Sequence, residues 1–160
     1  MFGTIKKIET IHGFKIQPVS DMNGQNGARL GMAQMRNALA GYSEYDGYGV
    51  ETDKHRFLVL IDNGQSCCEN WGYLSSEDDL QHFIGAELRN VTATDIASKK
   101  IALALKEGNE WGLDEGAVRF VDFETDRGVF QLAVYNAHNG YYGHGVIVAK
   151  DNEILLNDTL

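Results

Sequence analysis

The chain has 160 residues, of which 43% are hydrophobic and 10% aromatic, and this composition predicts one globular domain with a substantial core. Its 23 acidic and 14 basic residues give a net charge of −9, which disfavours direct binding of nucleic acid. Such a surface attracts basic partners, although many proteins are moderately acidic for solubility alone. No stretch approaches the ~20 apolar residues of a membrane-spanning helix.

The N-terminus and the cysteines indicate a cytoplasmic protein. Lys6 and Lys7 are not followed by the apolar segment that a secretory signal requires. Cys67 and Cys68 are adjacent, and this spacing is not typical of a disulfide framework. We therefore expect a protein that works in a reducing cytoplasm.

The first third of the chain predicts a hairpin, a helix and a loop. Thr4–Thr10 and Phe14–Val19 alternate between apolar and polar residues, which predicts two strands joined at His12-Gly13. Ala28–Ala40 has apolar residues near helical spacing and is followed by a glycine. The sequence SEYDGYG that follows predicts a loop.

The middle of the chain contains the clearest local signal, at Ser76–Ile84. Ser76 is a suitable helix cap, the acidic residues that follow complement the helix dipole, and Gly85 supplies a stop. On either side, Arg56–Ile61 and Glu87–Thr94 predict strands. The pattern over 96–106 is compatible with either a strand or a helix.

The last third predicts a hairpin and a further strand. Ala117–Phe123 and Val129–Tyr135 are strand-like around the turn sequence ETDRG, and Val146–Ala149 is a short apolar strand. Together the predicted elements favour an α+β fold, mainly an antiparallel sheet with two or three helices packed against it.

The candidate chemistry is weak. Cys67, Cys68, Glu69, His138 and His144 are possible metal ligands, but zinc ligands are usually two to four residues apart, whereas adjacent cysteines on a strand point apart. No phosphate-binding loop, serine elbow or metalloprotease motif is present. We predict no catalytic residue, no metal and no cofactor, and hence a protein that is not an enzyme.

The remaining signal is a possible recognition surface formed by two segments, CCENWGY and YNAHNGYYGHG. Aromatic and amide side chains of these types anchor protein interfaces, although aromatic residues fill cores equally well. Asn139-Gly140 also suits a tight turn, which could present a tyrosine beside the first segment. The candidate binding residues are Glu69, Trp71, Tyr73, Asn139, Tyr141, Tyr142 and His144.

Three short motifs resemble a family of small domains of unknown function that is common in bacteriophages, prophages and their hosts. They are Cys67-Cys68-Glu69, Asp78-Asp79-Leu80 with Ile84-Gly85, and Asn139-Gly140-Tyr141-Tyr142, in the same order and with similar spacing. The resemblance covers residues 56–148, so residues 1–55 are expected to be an N-terminal elaboration of a single domain. It implies a compact antiparallel α+β domain and no established activity.

The resemblance leaves three functional hypotheses. The first is a non-enzymatic inhibitor in the bacterial host cytoplasm that binds an immunity protein with a basic surface, such as a CRISPR nuclease. The second is a small-molecule binder that sequesters a nucleotide immune signal, and the third is a structural or regulatory phage protein. A homo-oligomer is possible under each hypothesis. Few basic residues lie near the motifs, which favours the first.

Overall fold

The computed structural model describes residues 1–16, 43–64, 70–107, 117–137 and 143–160. Within these ranges nine strands form one antiparallel sheet in the order β4-β7-β6-β5-β1-β2-β3-β8-β9. The strands in chain order are β1 (Gly3–Ile16), β2 (Ser43–Thr52), β3 (Arg56–Asp62), β4 (Asn70–Ser75), β5 (Glu87–Thr94), β6 (Ala117–Thr125), β7 (Gly128–Ala137), β8 (Gly145–Lys150) and β9 (Glu153–Thr159).

Helical structure is sparse in the same ranges. They contain one α-helix, α1 (Lys99–Glu107), and one 3-10 helix, Leu80–Phe83. The predicted α+β fold with two or three helices is therefore wrong, and the fold is mainly β. The predicted helix over Ala28–Ala40 lies outside the described residues.

The predicted helix over Ser76–Ile84 is reduced to one 3-10 turn, because Ser76 has a different role. The Ser76 backbone N–H donates to the Gln131 carbonyl and the Ser76 hydroxyl accepts from the Gln131 N–H, both at 2.8 Å. Ser76 thus extends the pairing of β4 with β7. Asp79 is the actual cap, since its carboxylate accepts from the Gln81 N–H at 3.0 Å.

The predicted hairpin at His12-Gly13 is also wrong, since β1 continues through it. Gly13 adopts a φ of 66°, and its N–H donates to Asp46 Oδ1 at 2.9 Å. The register between β1 and β2 shifts between Ile11 and Phe14, so the extra residue is absorbed in a bulge. Glycine therefore bends the strand here without reversing it.

The predicted loop SEYDGYG is strand β2. Gly47 allows β2 to approach β3, because a Cβ at this position would lie 2.0 Å from the Val59 carbonyl oxygen. The remaining strand predictions are confirmed at β3, β5, β6, β7 and β8, including the hairpin that joins β6 to β7.

The sheet folds back on itself, so that two halves share one core. The first half is β4-β7-β6-β5, the second is β1-β2-β3-β8-β9, and the main chain joins them at Gly3↔Leu88 and Thr4↔Glu87. Both halves contribute buried side chains to a single cluster, so the apolar faces pack against each other. The cluster contains Ile5, Ile8, Tyr48, Val50, Phe57, Val59, Ile61, Phe83, Leu88, Val121, Phe123, Phe130, Leu132, Val134, Val146, Val148 and Leu160.

The outer face of the first half is covered by α1. Ile101 is fully buried and packs with Phe120 of β6 and Ala133 of β7. Gln131 orients the chain that leads into the helix, because its side-chain oxygen accepts from the Ser98 N–H at 2.8 Å and its amide donates to the Ile96 carbonyl at 2.9 Å. The helix therefore packs on the face of the first half that points away from the shared core.

We expect Phe83→Ala to lower the free energy of unfolding by about 3–5 kcal/mol, because the ring is buried and its removal leaves a cavity. Phe83 is 5% exposed, and its ring centroid lies 4.7 Å from that of Phe130. Urea denaturation measures the change. Val129→Ala is the control, since Val129 is 53% exposed and its change should cost less than about 0.5 kcal/mol. Equal effects would contradict the placement of Phe83 in the core.

We expect the stability of Asp151→Asn to fall less with decreasing pH than the stability of the wild-type protein. Asp151 Oδ1 accepts from the Arg56 N–H at 2.9 Å and Oδ2 lies 2.8 Å from His55 Nδ1. The Arg56 hydrogen bond, followed by that of His55, holds the pKa of Asp151 below its usual value. The unfolded state then binds a proton first as pH falls, so this stabilisation is present above the unfolded pKa and is lost in acid. Thermal melts from pH 7 to pH 2 measure the difference between the two proteins.

Candidate functional site

Two predicted binding residues, Trp71 and Tyr73, lie on β4 and face the second half of the sheet. Strand β4 ends the sheet order and pairs with β7 in the register Trp71↔Asn136 and Tyr73↔Val134. Because Val134 belongs to the shared core and side chains alternate along a strand, the two aromatic residues point inward. Both are partly exposed, since β4 is an edge strand of the sheet, and we call the side of the fold that β4 borders the open side.

Trp71 stacks on His144, which joins the two segments predicted to form a recognition surface. The ring centroids are 5.4 Å apart and the planes meet at 27°. His144 is 1% exposed, and its Nδ1 lies 2.6 Å from the Asp62 carbonyl oxygen. Because a carbonyl can only accept, Nδ1 carries the proton. His144 is therefore a buried support beneath Trp71.

The other predicted residues, Glu69, Asn139, Tyr141 and Tyr142, lie outside the described residues, as do both cysteines. The described neighbours of these segments are close together. Asn70 pairs with Ala137, while His144 contacts Trp71. The structure thus brings the flanks of both predicted segments to the same end of β4.

Tyr73 extends the aromatic contacts toward β1 and β2. Its ring meets that of Tyr48 edge to face at 5.3 Å, and its hydroxyl lies 3.2 Å from His12 Nδ1. Burial raises the pKa of Tyr73, and the nearby Asp46 carboxylate raises it further. The hydroxyl therefore stays neutral and acts as a hydrogen-bonding group at the open side.

Asp46 of β2, His12 and Gly13 of β1 and Tyr73 of β4 form a chain of polar contacts, which we call the polar bridge. Asp46 Oδ1 accepts from the Gly13 N–H and from Asn63 Nδ2, each at 2.9 Å, which fixes the carboxylate. Asp46 Oδ2 lies 3.7 Å from His12 Nδ1, too far for a hydrogen bond, and the His12 side chain is 68% exposed. This geometry does not provide a catalytic relay. It holds the edge of β4 against β1.

An open cleft of about 500 Å³ lies beside the polar bridge, and we call it the slot. One wall belongs to β1 and the other to the end of β4 and the turn before the 3-10 helix, while Tyr48 of β2 lies between them. The slot is lined by Ile8, Glu9, Thr10, Tyr48, Ser75, Glu77, Asp78, Asp79, Leu80 and Gln81.

The charge of the slot is negative. Four of its lining residues are Asp or Glu, and none is Lys or Arg. Lys7 lies 2.6 Å from Glu9, and Lys100 lies 3.2 Å from Asp78, so cations outside the lining partly compensate two of the carboxylates. Among the described residues Glu77 has no ion-pair partner, and the rim therefore favours a cationic ligand.

The inner end of the slot is formed by Tyr48 and Ser75. Tyr48 is 6% exposed, and burial raises its pKa to about 12, an effect that the hydrogen bond with Ser75 reduces and the nearby Tyr73 increases. The Ser75 hydroxyl donates to the Glu77 carbonyl at 2.7 Å, which orients the acidic turn. The base of the slot is thus fixed and neutral, and its rim is charged.

Within the described ranges, no group of three or more His, Cys, Asp or Glu residues is placed to hold a metal ion. None of the helices there is long and apolar enough to cross a membrane.

Sequence reasoning missed His12, Asp46 and Tyr48, and assigned a different role to Glu77 and Asp79. The first three lie in stretches that resemble a turn and a loop, and no local pattern indicates that β1, β2 and β4 meet. The acidic run could have suggested a binding site, but helix capping was the simpler interpretation of three carboxylates after a serine.

Residues 4–148 match the family model described as "Domain of unknown function (DUF7448)". The matched range begins well before the residues on which the sequence resemblance was based. No curated protein and no solved structure matches the chain.

We expect the free energy of unfolding of Tyr48→Phe to decrease less with rising alkaline pH than that of the wild-type protein. The folded pKa of about 12 exceeds the ordinary value of 10.0, so between these pH values the unfolded state loses the proton first. The stabilisation is present below the unfolded pKa and decreases as pH rises toward the folded one. Urea denaturation between pH 8 and pH 11.5 compares the two proteins. Identical slopes would contradict a buried, neutral Tyr48.

Proposed function

This chain belongs to the DUF7448 family of domains of unknown function, and we propose that it is a non-enzymatic binding protein that inhibits a bacterial immunity protein, such as a CRISPR nuclease, in the cytoplasm of the host cell. The inhibitor acts by binding a basic surface of that target. The proposal combines the character of the slot with the phage and prophage setting that the sequence resemblance implies.

One observation carries the proposal, namely that acidic and aromatic side chains line the same open side of the fold. The carboxylates at the rim of the slot attract a basic target and speed its encounter. Trp71 and Tyr73, which are partly exposed and held by rings behind them, supply rigid contact area at little cost in conformational entropy. The carboxylates thus increase the association rate, and the aromatic rings supply affinity in the complex.

A nucleic-acid channel is a suitable target surface. Such channels present lysine and arginine side chains that neutralise phosphates, and an acidic protein competes for the same groups. The net charge of −9 adds to the attraction over the whole surface. The target's nucleic acid would then be excluded while the inhibitor is bound.

The slot is less suitable for a nucleotide signal. Phosphate groups require cationic side chains or clustered N–H donors, whereas four carboxylates and no Lys or Arg line this cleft. Stacking on Tyr73 or Trp71 alone would leave the phosphates facing negative charge. We therefore do not favour the sequestration of a nucleotide.

The test is phage plating on bacteria whose CRISPR nuclease is programmed against that phage. We expect expression of the chain to restore plating. The double variant Glu77→Gln/Asp79→Asn should lose most of this effect, because it removes two rim charges, and Trp71→Ala should cost about 2 kcal/mol or more in affinity for the purified nuclease.

Glu124→Gln is the matched control, since Glu124 is an exposed carboxylate on β6, away from the slot, and its change should leave plating unaffected. Melting temperatures verify that every variant is folded. Unchanged plating with each class of nuclease, at full expression of the folded wild-type chain, would refute the proposed inhibition.

A further inference from the structure

We propose that the slot binds an extended, basic segment of the partner protein as an added strand along the exposed edge of β1. This inference rests on the proposed function for the class of partner and adds the mode of binding. It predicts that main-chain hydrogen bonds, in addition to charge, hold the partner.

The edge of β1 is the first observation. On one side β1 pairs with β2 along most of its length, from Ile5 to Ile16. On the other side, β5 pairs only with Gly3 and Thr4, and Ile5 bonds to Gly85 and Ala86. Within the described parts of the chain, no strand pairs with this second side over residues 6–11. Such an edge presents N–H and C=O groups to an incoming strand.

The position of the slot is the second observation. Its lining includes Ile8, Glu9 and Thr10, so the cleft lies directly against this stretch of β1. The opposite wall is Ser75 and the turn that follows it, and Tyr48, whose ring meets that of Tyr73, also lines the cleft. An extended chain of about six residues is about 20 Å long, which matches the stretch of β1 over residues 6–11.

The side chains of the slot define the chemistry of the added strand. Alternate side chains of a strand paired with β1 would point in the same direction as Ile8 and Thr10, toward the opposite wall. There they would pass Leu80 and reach the carboxylates of Glu77 and Asp79. Arginine and lysine side chains match this order of contacts, because each has an apolar stem and a cationic head.

The negative charge of the slot determines which class of molecule can bind there. A second copy of this chain would bring its own excess of acidic residues to the same carboxylates, and a nucleic acid would bring phosphates. Both are repelled, whereas a basic segment is attracted. We therefore infer an extended segment rich in Arg or Lys on a partner protein.

The experiment uses the complete chain and capped peptides of about eight residues that alternate Arg and Thr, a length that covers the β1 edge. One peptide is unmodified, and two carry N-methyl groups on alternate residues, either on the Arg set or on the Thr set. Because only one set of N–H groups faces β1 in a paired strand, we expect methylation of one set to weaken binding at least about tenfold and methylation of the other to have little effect.

Nuclear magnetic resonance locates the peptide. Binding of the unmodified peptide should slow amide exchange in β1 between Lys6 and Ile11, and Glu77→Gln/Asp79→Asn should weaken binding while Glu124→Gln does not. A peptide with Glu in place of Arg should not bind.

Three outcomes would overturn the inference. Equal binding of both methylated peptides would show that charge alone holds the segment, and an absence of binding by any basic peptide would show that the slot has no such occupant. Protection of the β1 edge in the free protein, together with a dimer in sedimentation, would assign the edge to a second copy. Each outcome is independent of the plating test, so the inhibitory function and the binding mode can fail separately.

Discussion

A run of aromatic rings across the core holds the two halves of the sheet together. Phe57 of the second half meets Phe123 of the first with ring centroids 6.0 Å apart, and Phe123 stacks on Phe130 at 5.0 Å. Such pairs add about 0.5–1.5 kcal/mol each to the burial of the rings. The polar bridge and the slot depend on this packing, because it sets the distance between β4 and the strands that it faces.

The open side of the fold follows from the same packing. On one side, main-chain pairing of β5 with β1 joins the two halves. Arg119 of β6 and Asp158 of β9 also link the halves, since the Arg119 Nε donates to an Asp158 carboxylate oxygen at 3.0 Å. On the side of β4, closure relies on side chains, principally Tyr73 with Tyr48 and His12. A cleft can persist there because no described strand fills the gap, and the carboxylates around it face water.

Sequence patterns predicted the hairpin of β6 and β7 correctly, but the hairpin expected at His12-Gly13 and the long-range arrangement were not predicted correctly. The hairpin of β6 and β7 was evident because each strand alternates and the turn between them is short. In contrast, β2 contains two glycines in a polar stretch, and its strand conformation depends on pairing with both β1 and β3. Trp71 and Tyr73 were recognised as binding candidates by residue type. His12 and Tyr48, the partners of Tyr73, precede it by 61 and 25 residues and could not be assigned without the topology.

The junction between the halves has a consequence for how the protein unfolds. Only two residue pairs, Gly3↔Leu88 and Thr4↔Glu87, join β1 to β5, so little of the cooperativity between the halves can come from the backbone ladder. It must come from side-chain packing across the core. A weakened packing layer would therefore allow the two halves to open as separate cooperative units, and hydrogen exchange would then report two free energies of opening in place of one.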